Sequence, residues 1–399
     1  MITLLRSRFE NLDDLRDYFS ALRERGDIVH LDSNIWLLND LEHIRQVMSD
    51  ARGFRTFDFR RRLQALVVSD PEMHDYPELA ESVGWWLVFI NREDHLDVRK
   101  SMFEHLYGQD LSSVIGSEIP VVLDSLEGRD SFDLIGDFCD PLICRIICRL
   151  AGVDTGMFTS MRELVSHLFT AFEPYYTLYG ISRMADADKR FHAIMQGEME
   201  AGRVSPAGML ASLHRQYGHE GMGKVLSIME FFFIAGIETS TLLLCESIFR
   251  LMTDLRGHVP LLYSKERSDG VVEELVRLSS TASVMGRVVA SRTTLCGVEL
   301  DEGDLLYLNL AGANRDPRYF PYPDAIHPDN ASVSHIAFGK GRRLCVGAML
   351  ARMELNMILP AFFERFASKD LVPDVDGMVM RQGYLIPGVK YLPVAVKDE

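Results

Sequence analysis

The stretch Phe338-Gly339-Lys340-Gly341-Arg342-Arg343-Leu344-Cys345-Val346-Gly347 gathers residue types that reactive chemistry needs. Two glycines before Cys345 permit tight turns, and Gly347 after it lets the backbone pass close to a flat ligand. An amphipathic helix containing Ala351-Arg352-Met353-Glu354 follows. Amide N–H groups at such a helix start can point at a thiolate sulfur and stabilise its charge, leaving an electron-rich metal ligand. The plain alternative is one more buried free cysteine, the default for a lone Cys in an apolar run.

A second group, Ala235-Gly236-Ile237-Glu238-Thr239-Ser240, lies in the middle of a long apolar helix. Gly236 costs that helix about 1 kcal/mol in propensity, and an acid beside an alcohol suits proton transfer. Taken alone, such a pair is more often an exposed turn with the Thr bonding back to a carbonyl. Glu274-Leu275-Val276-Arg277 puts a carboxylate and a guanidinium on one helix face, where they can pair bidentately; alone this is a common surface ion pair. His95 and Arg99 share a helix face, Arg287 stands ten residues beyond Arg277, and His335 ten before Cys345. Each is singly more often a solvated charge; together with Arg343 they could hold two buried carboxylates.

These residues need a mostly helical frame. Apolar residues recur at helical spacing from about Leu12 to Phe366, as in Phe132 to Leu150, Gly223 to Met252, Gly270 to Leu278 and Gly347 to Phe366. Strand-like runs at Ile28 to Leu38, Arg287 to Leu308 and Tyr384 to Val396 predict a minor sheet. The Pro-rich stretch Asp316 to Asp329 is one long irregular segment, of the kind that braces a site. Ala313-Asn314-Arg315-Asp316-Pro317 reads as a turn with an Asx-type bond. No linker or repeat divides the chain, so residues 1–399 are expected to form a single domain.

Composition narrows the function. A formal net charge of −16 disfavours a nucleic-acid binder. Cys139, Cys144, Cys148, Cys245, Cys296 and Cys345 form no CxxC pair and read as reduced thiols of a cytoplasmic protein. Met1 to Phe19 has no uninterrupted apolar run, and Leu226 to Cys245 carries Glu230 and Glu238, so no membrane anchor is expected and the latter reads as a buried helix.

The cysteine stretch resembles the ligand loop of cytochromes P450, with Phe338, Gly341, Arg343, Cys345 and Gly347 at that family's offsets. The resemblance runs in motif order from about His95 to the carboxy terminus and is weak before it. It implies a mainly α fold with a minor β region, the helical triangular prism, with heme b (iron protoporphyrin IX) between the Thr239 helix and the Cys345 loop. Cys345 would be the axial ligand, while Phe338, Gly339, Gly347, Ala235 and Gly236 would lie against the macrocycle. His95, Arg99, Arg287, His335 and Arg343 would serve the propionates. Glu238 and Thr239 would relay protons to bound dioxygen. Glu274 and Arg277 would hold the segment beneath the haem; the family often adds an Arg after Pro323-Asp324, where Ala325 stands here, with His327 and Asn330 nearby. The Pro-Pro pair common before the His is replaced by Arg92-Glu93.

By the same resemblance, a lipophilic small molecule would touch Phe231, Ile234, Ala235, Ser283, Val284, Met285, Tyr384, Leu385 and Ile386. Trp85, Trp86, Phe169, Phe172, Tyr175, Tyr176 and Tyr179 fall where the family forms its lid, although at helical spacing they are more often core. The implied reaction is hydroxylation or epoxidation by a monomeric, bacterial-type monooxygenase that tailors natural products. No Gly-rich dinucleotide turn is present, so electrons would come from a ferredoxin or flavodoxin with its reductase, docking where Lys340, Arg342, Arg343 and Arg352 gather positive charge. The alternatives are a peroxide-driven peroxygenase or decarboxylase, a non-catalytic haem-thiolate sensor, and a helical scaffold without cofactor.

Overall fold

Local capping and alternation set the first elements of the chain. Asn11 accepts the Asp14 amide and starts α1 (Leu12–Glu24); Asp40 does the same for His43 at the head of α2 (Leu41–Ser49). Between them β1 (Ile28–Asp32) and β2 (Ile35–Leu38) form a hairpin, and β3 (Phe54–Arg55) follows α2. Next come α3 (Pro77–Gly84), α4 (Asp94–Tyr107), α5 (Leu111–Asp124), β4 (Ser131–Asp133), α6 (Asp140–Ala151), α7 (Phe158–Leu168), α8 (Leu178–Glu200), α9 (Met209–Tyr217) and α10 (Met222–Met252). The last third holds α11 (Ser268–Ser279), β5 (Val284–Val289), β6 (Thr293–Leu295), β7 (Val298–Leu300), β8 (Leu305–Asn309), α12 (Leu310–Ala313), α13 (Ala348–Arg365), β9 (Lys369–Pro373), β10 (Val379–Arg381), β11 (Gly388–Tyr391) and β12 (Pro393–Asp398). The computed structural model describes residues 8–63, 76–90, 94–174, 176–327, 330, 333–381 and 383–398. Arg92, Glu93, Tyr175 and the Asp329 end of the Pro-rich stretch lie outside the described residues.

Two compact units emerge, each assembled from discontinuous stretches: Met1–Arg55, Ile119–Cys139 and Thr239–Glu399 in the first, Thr56–Glu118 and Asp140–Glu238 in the second. The first contains a sheet of order β1-β2-β8-β5-β3, with β2 and β8 parallel and the other pairs antiparallel. Leu38, Leu306, Leu308, Val289 and Phe54 from this sheet form one core with Leu41, Ile44 and Met48 of α2, Phe320 and Ile336. Ile336 lies two residues before Phe338, so the cysteine stretch begins on the main core. The second unit is helical, built from α3, α4, α6 to α9 and the first half of α10.

The three strand-like runs are found as strands, and helices cover three of the four helical runs closely. The fourth differs: Phe132 belongs to strand β4, and residues 134–139 form a π-helix before α6 begins. Asp133 explains the entry, because its carboxylate accepts the Ile135 and Gly136 amides and stops the strand. α10 is long and apolar enough to cross a membrane, but most of its apolar window is buried inside the protein. It runs as uninterrupted α-helix through residues 235–240.

Gly236 is used there for close approach. A Cβ at this position would meet Ile147 Cδ1 of α6 at 2.6 Å. Gly236→Ala therefore sets a helix-propensity gain of about 1 kcal/mol against an overpacking cost of about 1–3 kcal/mol. The substitution is expected to destabilise the wild type and, with Ile147→Val removing the obstructing methyl, to become neutral or stabilising. Denaturant unfolding of the four members of this double-mutant cycle measures the coupling; additivity would remove the contact as the reason for the glycine.

Candidate active site

Cys345 sits on a loop that folds back on itself. Its amide donates to the Phe338 carbonyl at 2.9 Å, and Gly339 donates to Ile336 at 2.8 Å. Gly339 and Gly341 have φ of +76° and +71°, which a side chain rarely tolerates, and a Cβ on Gly341 would lie 3.1 Å from the Met48 carbonyl. Gly347 is the N-cap of α13, so the sulfur stands beside the positive end of an 18-residue helix. Of the six cysteines only Cys345 is exposed. Burial pushes the thiol of Cys148 up to about 12 and that of Cys296 to about 11, and it raises that of Cys144 as well. Those sites keep a neutral thiol.

The expected cations divide. Arg287, on β5, is buried; it donates to the Gly286 carbonyl and the Met285 sulfur, and among the described residues it pairs with no carboxylate. Desolvation, then the nearby Arg343 charge, depresses its pKa to about 10, and desolvation does the same to Arg343. A guanidinium as desolvated as that of Arg287 calls for an anion. His335 differs from its expected role: its Nε2 lies 2.9 Å from Glu273 Oε1 at ion-pair distance without hydrogen-bond alignment. Arg352 is bound bidentately by the same Glu273 at 2.7 and 2.6 Å. Against burial, which raises it, the Arg352 hydrogen bonds and the neighbouring His335 hold the Glu273 carboxyl at about 2. Arg352 thus adds no free positive charge beside the loop, Arg343 is largely covered, and Lys340 and Arg342 are the exposed pair. In the second unit, His95 is buried on α4, and Arg99, one turn on, is half-buried without an ion pair to a described residue.

On α10, Phe231, Ala235, Gly236 and Thr239 are only half-buried while their neighbours are covered. Spacing of four puts Phe231, Ala235 and Thr239 on one face. Ile234, expected with them, is fully buried away from that face. Glu238 also turns inward: Arg162 Nη1 donates to its carboxylate at 2.5 Å and Arg162 Nε to Asp140 at 2.6 Å. Val284 donates to the Leu385 carbonyl at 3.2 Å, which brings two expected substrate segments together. Met285 is half-buried and Tyr384 lies beside Leu385, whereas the Ser283 hydroxyl is buried and donates to the Ser280 carbonyl. Within the second unit, Trp86 stacks near Phe172 and Phe231 at 6.1 and 6.3 Å between ring centres, giving that face an aromatic wall. Phe169 and Tyr176 pack inside, and Tyr179 is exposed.

Glu274 and Arg277 form a buried bidentate pair at 2.8 and 2.9 Å. The third member is Asn330, whose Nδ2 donates to Glu274 Oε2 at 2.8 Å, with the His327 amide at 3.4 Å. Ala325 contributes its carbonyl to Arg277 at 3.0 Å. Asn314 is more than a local turn residue: it donates to Ser280 and accepts the Ile336 amide, while Asp316 makes the Asx bond, to Arg318.

A cytochrome P450 family model matches residues 268–387, a span that includes the Glu274 pair and Cys345. The 20-oxo-5-O-mycaminosyltylactone 23-monooxygenase of Streptomyces fradiae is 28% identical over 95% of this chain and 89% of its own length. The polyketide biosynthesis cytochrome P450 PksS of Bacillus subtilis is 24% identical over 76% of each chain. The crystal structure of CalO2 superposes with a TM-score of 0.84 at 21% identity, covering 98% of this chain and 99% of the other. The chain is thus similar to cytochromes P450 over most of its length, and the family model falls on the part that carries Cys345. Relatives similar to it are named as a monooxygenase and as a hydroxylase. Residues of the first unit fit a haem-thiolate group: an exposed sulfur at a helix start and the desolvated Arg287 guanidinium on β5.

Glu354 is the residue that motif reading undervalued. It is fully buried on α13, and desolvation pushes its carboxyl up to about 8 against a hydrogen bond from Ser240. Its signal was a charged residue in step with Ala351, Leu355 and Ile358 on the core face of the helix. The folded protein holds a proton there that the unfolded chain releases near pH 4.5, so stability falls as pH rises from about 4.5 to about 8. Glu354→Gln, which keeps a donor without a titratable proton, is expected to be more stable than wild type at pH 8, by roughly 5 kcal/mol at most, with the gap closing by pH 4.5. Urea unfolding of both proteins across that window checks it; a gap independent of pH would show that Glu354 is not held neutral.

Proposed function

We propose that this P450 hydroxylates or epoxidises a lipophilic natural product, with heme b ligated by Cys345 and protons delivered by Glu238 and Thr239. The observation that carries the reading is the single exposed thiol at the head of α13 in a chain whose other cysteines are covered. Bound haem supplies the iron at which dioxygen is activated toward a C–H bond. Arg287, Arg343, Arg99 and His95 are the residues that would serve its carboxylates. Thr239 presents its hydroxyl on the half-covered face of α10 and orders a proton-bearing water there. Glu238 is the titratable neighbour, and Arg162 holds it inward; the guanidinium itself cannot give up a proton. Proton supply therefore follows release of the carboxylate from Arg162.

The residues proposed to meet the substrate, Phe231, Ala235, Val284, Met285, Tyr384 and Leu385, are chiefly apolar, as a lipophilic molecule requires. Relatives named for a glycosylated lactone and for polyketide biosynthesis support that class. The enzyme acts as a monomer in the cytoplasm and draws electrons from a ferredoxin or flavodoxin with its reductase. Lys340 and Arg342 are the charges offered to that donor.

Two variants test the assignment. Cys345→Ser is expected to lose the absorption band near about 450 nm that carbon monoxide gives with reduced thiolate-ligated haem, since a hydroxyl cannot replace the sulfur's electron donation. A retained band would remove Cys345 as ligand. Thr239→Ala is expected to keep haem and substrate binding but divert reducing equivalents to peroxide, lowering coupled product formation by about 10²- to 10⁴-fold where water cannot substitute. Glu238→Gln should slow turnover without that leak. Product, peroxide and reduced-nicotinamide consumption, measured together with surrogate redox partners, separate the outcomes; unchanged coupling and rate in both variants would leave the pair without a role.

A further inference from the structure

The second unit contains a polar cluster that the haem chemistry does not use. Asp188 and His192 stand one turn apart on α8, Glu230 faces them from α10, and Ser82 joins from α3. Spacing of four on a helix aims two ligands from one face at a common point. Asp188 and Glu230 are buried, yet Asp188 Oδ1 and Glu230 Oε1 accept no hydrogen bond. The other Glu230 oxygen is held in place by Trp86 Nε1 at 2.9 Å and Ser82 Oγ at 3.0 Å. The Ser227 hydroxyl donates to Ser82 in turn.

Charge makes the arrangement demanding. Two carboxylates share this interior, and the one described cationic partner within ion-pair distance of either is His192, 3.7 Å from Asp188. Burial, followed by mutual repulsion in the case of Glu230, raises the pKa of Glu230 and of Asp188, while burial lowers that of His192 and leaves a neutral imidazole. Uncompensated charges at this depth cost several kcal/mol each. A cation or shared protons must offset them.

We infer that Asp188, His192 and Glu230 bind a divalent transition-metal cation, with zinc the best match to one imidazole and two carboxylates. Their ligand atoms all lie within 4.8 Å of one another. Ligands about 2.0–2.1 Å from a tetrahedral zinc are roughly 3.3 Å apart. His192 Nε2 is 3.7 Å from Asp188 Oδ1 and 3.5 Å from Ser82 Oγ, so small side-chain movements complete three ligands and leave the serine or a water as the fourth. The ion would clamp α3 and α8 to α10 beside Trp86 and Phe231, two helical turns before Glu238.

The test uses the full-length haem-containing protein, purified without a histidine tag or chelator, incubated with zinc chloride, desalted and assayed for zinc per chain. One zinc per chain is expected in the wild type and in His219→Gln, which removes an exposed histidine, with at least a tenfold loss in His192→Gln and Asp188→Asn. Anomalous diffraction at the zinc edge should place the ion among the three side chains, which keeps the test open where a variant fails to fold. Zinc below about a tenth per chain in the wild type, or undiminished in both variants, overturns the site. So does a Glu230→Gln protein that gains thermal stability in the presence of zinc, which would show that the carboxylates share a proton instead.

Discussion

The Arg277 guanidinium is the joint on which the cysteine side of the molecule hangs. It is buried, and all five of its N–H donors are used: two meet Glu274, two meet the Asn314 and Pro323 carbonyls, and one meets the Ala325 carbonyl. Phe320 lies under its plane. An irregular segment cannot satisfy its own carbonyls as a helix does, so it needs a donor with this fan of directions. The order reaches the thiolate loop in two steps. Asn314, fixed through its carbonyl by Arg277, accepts the Ile336 amide, and the Ile336 carbonyl accepts from Gly339. Position at Cys345 is thus inherited from an ion pair on α11.

Charge elsewhere in the interior follows one rule with different solutions. Glu274 is paired and given extra donors by Asn330 and His327. Glu118, fully buried, is gripped by Arg145 and Arg149 at 2.7 Å each. Glu354 has no cation and is held neutral by desolvation. Arg287 is the remaining case, a buried guanidinium whose described partners are a carbonyl and a thioether. Neither offsets a desolvated charge, so an anionic ligand at Arg287, such as the haem carboxylates proposed above, would relieve a cost that the described residues leave standing.

Much of this was legible in the residues. Motif spacing singled out Cys345, Arg287, the Glu274 pair and Thr239, because each rests on short-range geometry: a turn, a strand register, a helical period. What sequence could not supply was partner choice across long separations. Asn330 takes the place that Ala325 leaves open, through a side chain 56 residues from Glu274. His335 and Arg352 turn to Glu273, a residue that differs from Glu274 by one position and therefore faces elsewhere on α11. Phe132 read as helix because apolar periodicity continues through it, and the Asp133 side chain ended that pattern locally.

One helix shows why the site residues violate local preference. On α10, Gly236 lets Ile147 approach, Glu238 anchors to Arg162, Glu230 turns into a carboxyl cluster, and Phe231, Ala235 and Thr239 form the half-covered face. An ordinary core helix would fill all of these positions with Leu or Ala at lower cost. Because 3.6 residues make a turn, adjacent positions such as Glu238 and Thr239 point about 100° apart, so an acid and an alcohol that look like a pair in sequence cannot face one point at rest. Proton transfer between them requires a water, or a swing of the acid away from Arg162, and the ion pair sets how readily that happens. Arg162 lies on α7, so in the proposed relay the packing of α7 against α6 and α8, and not the α10 motif alone, would govern the supply of protons to the face that Thr239 presents.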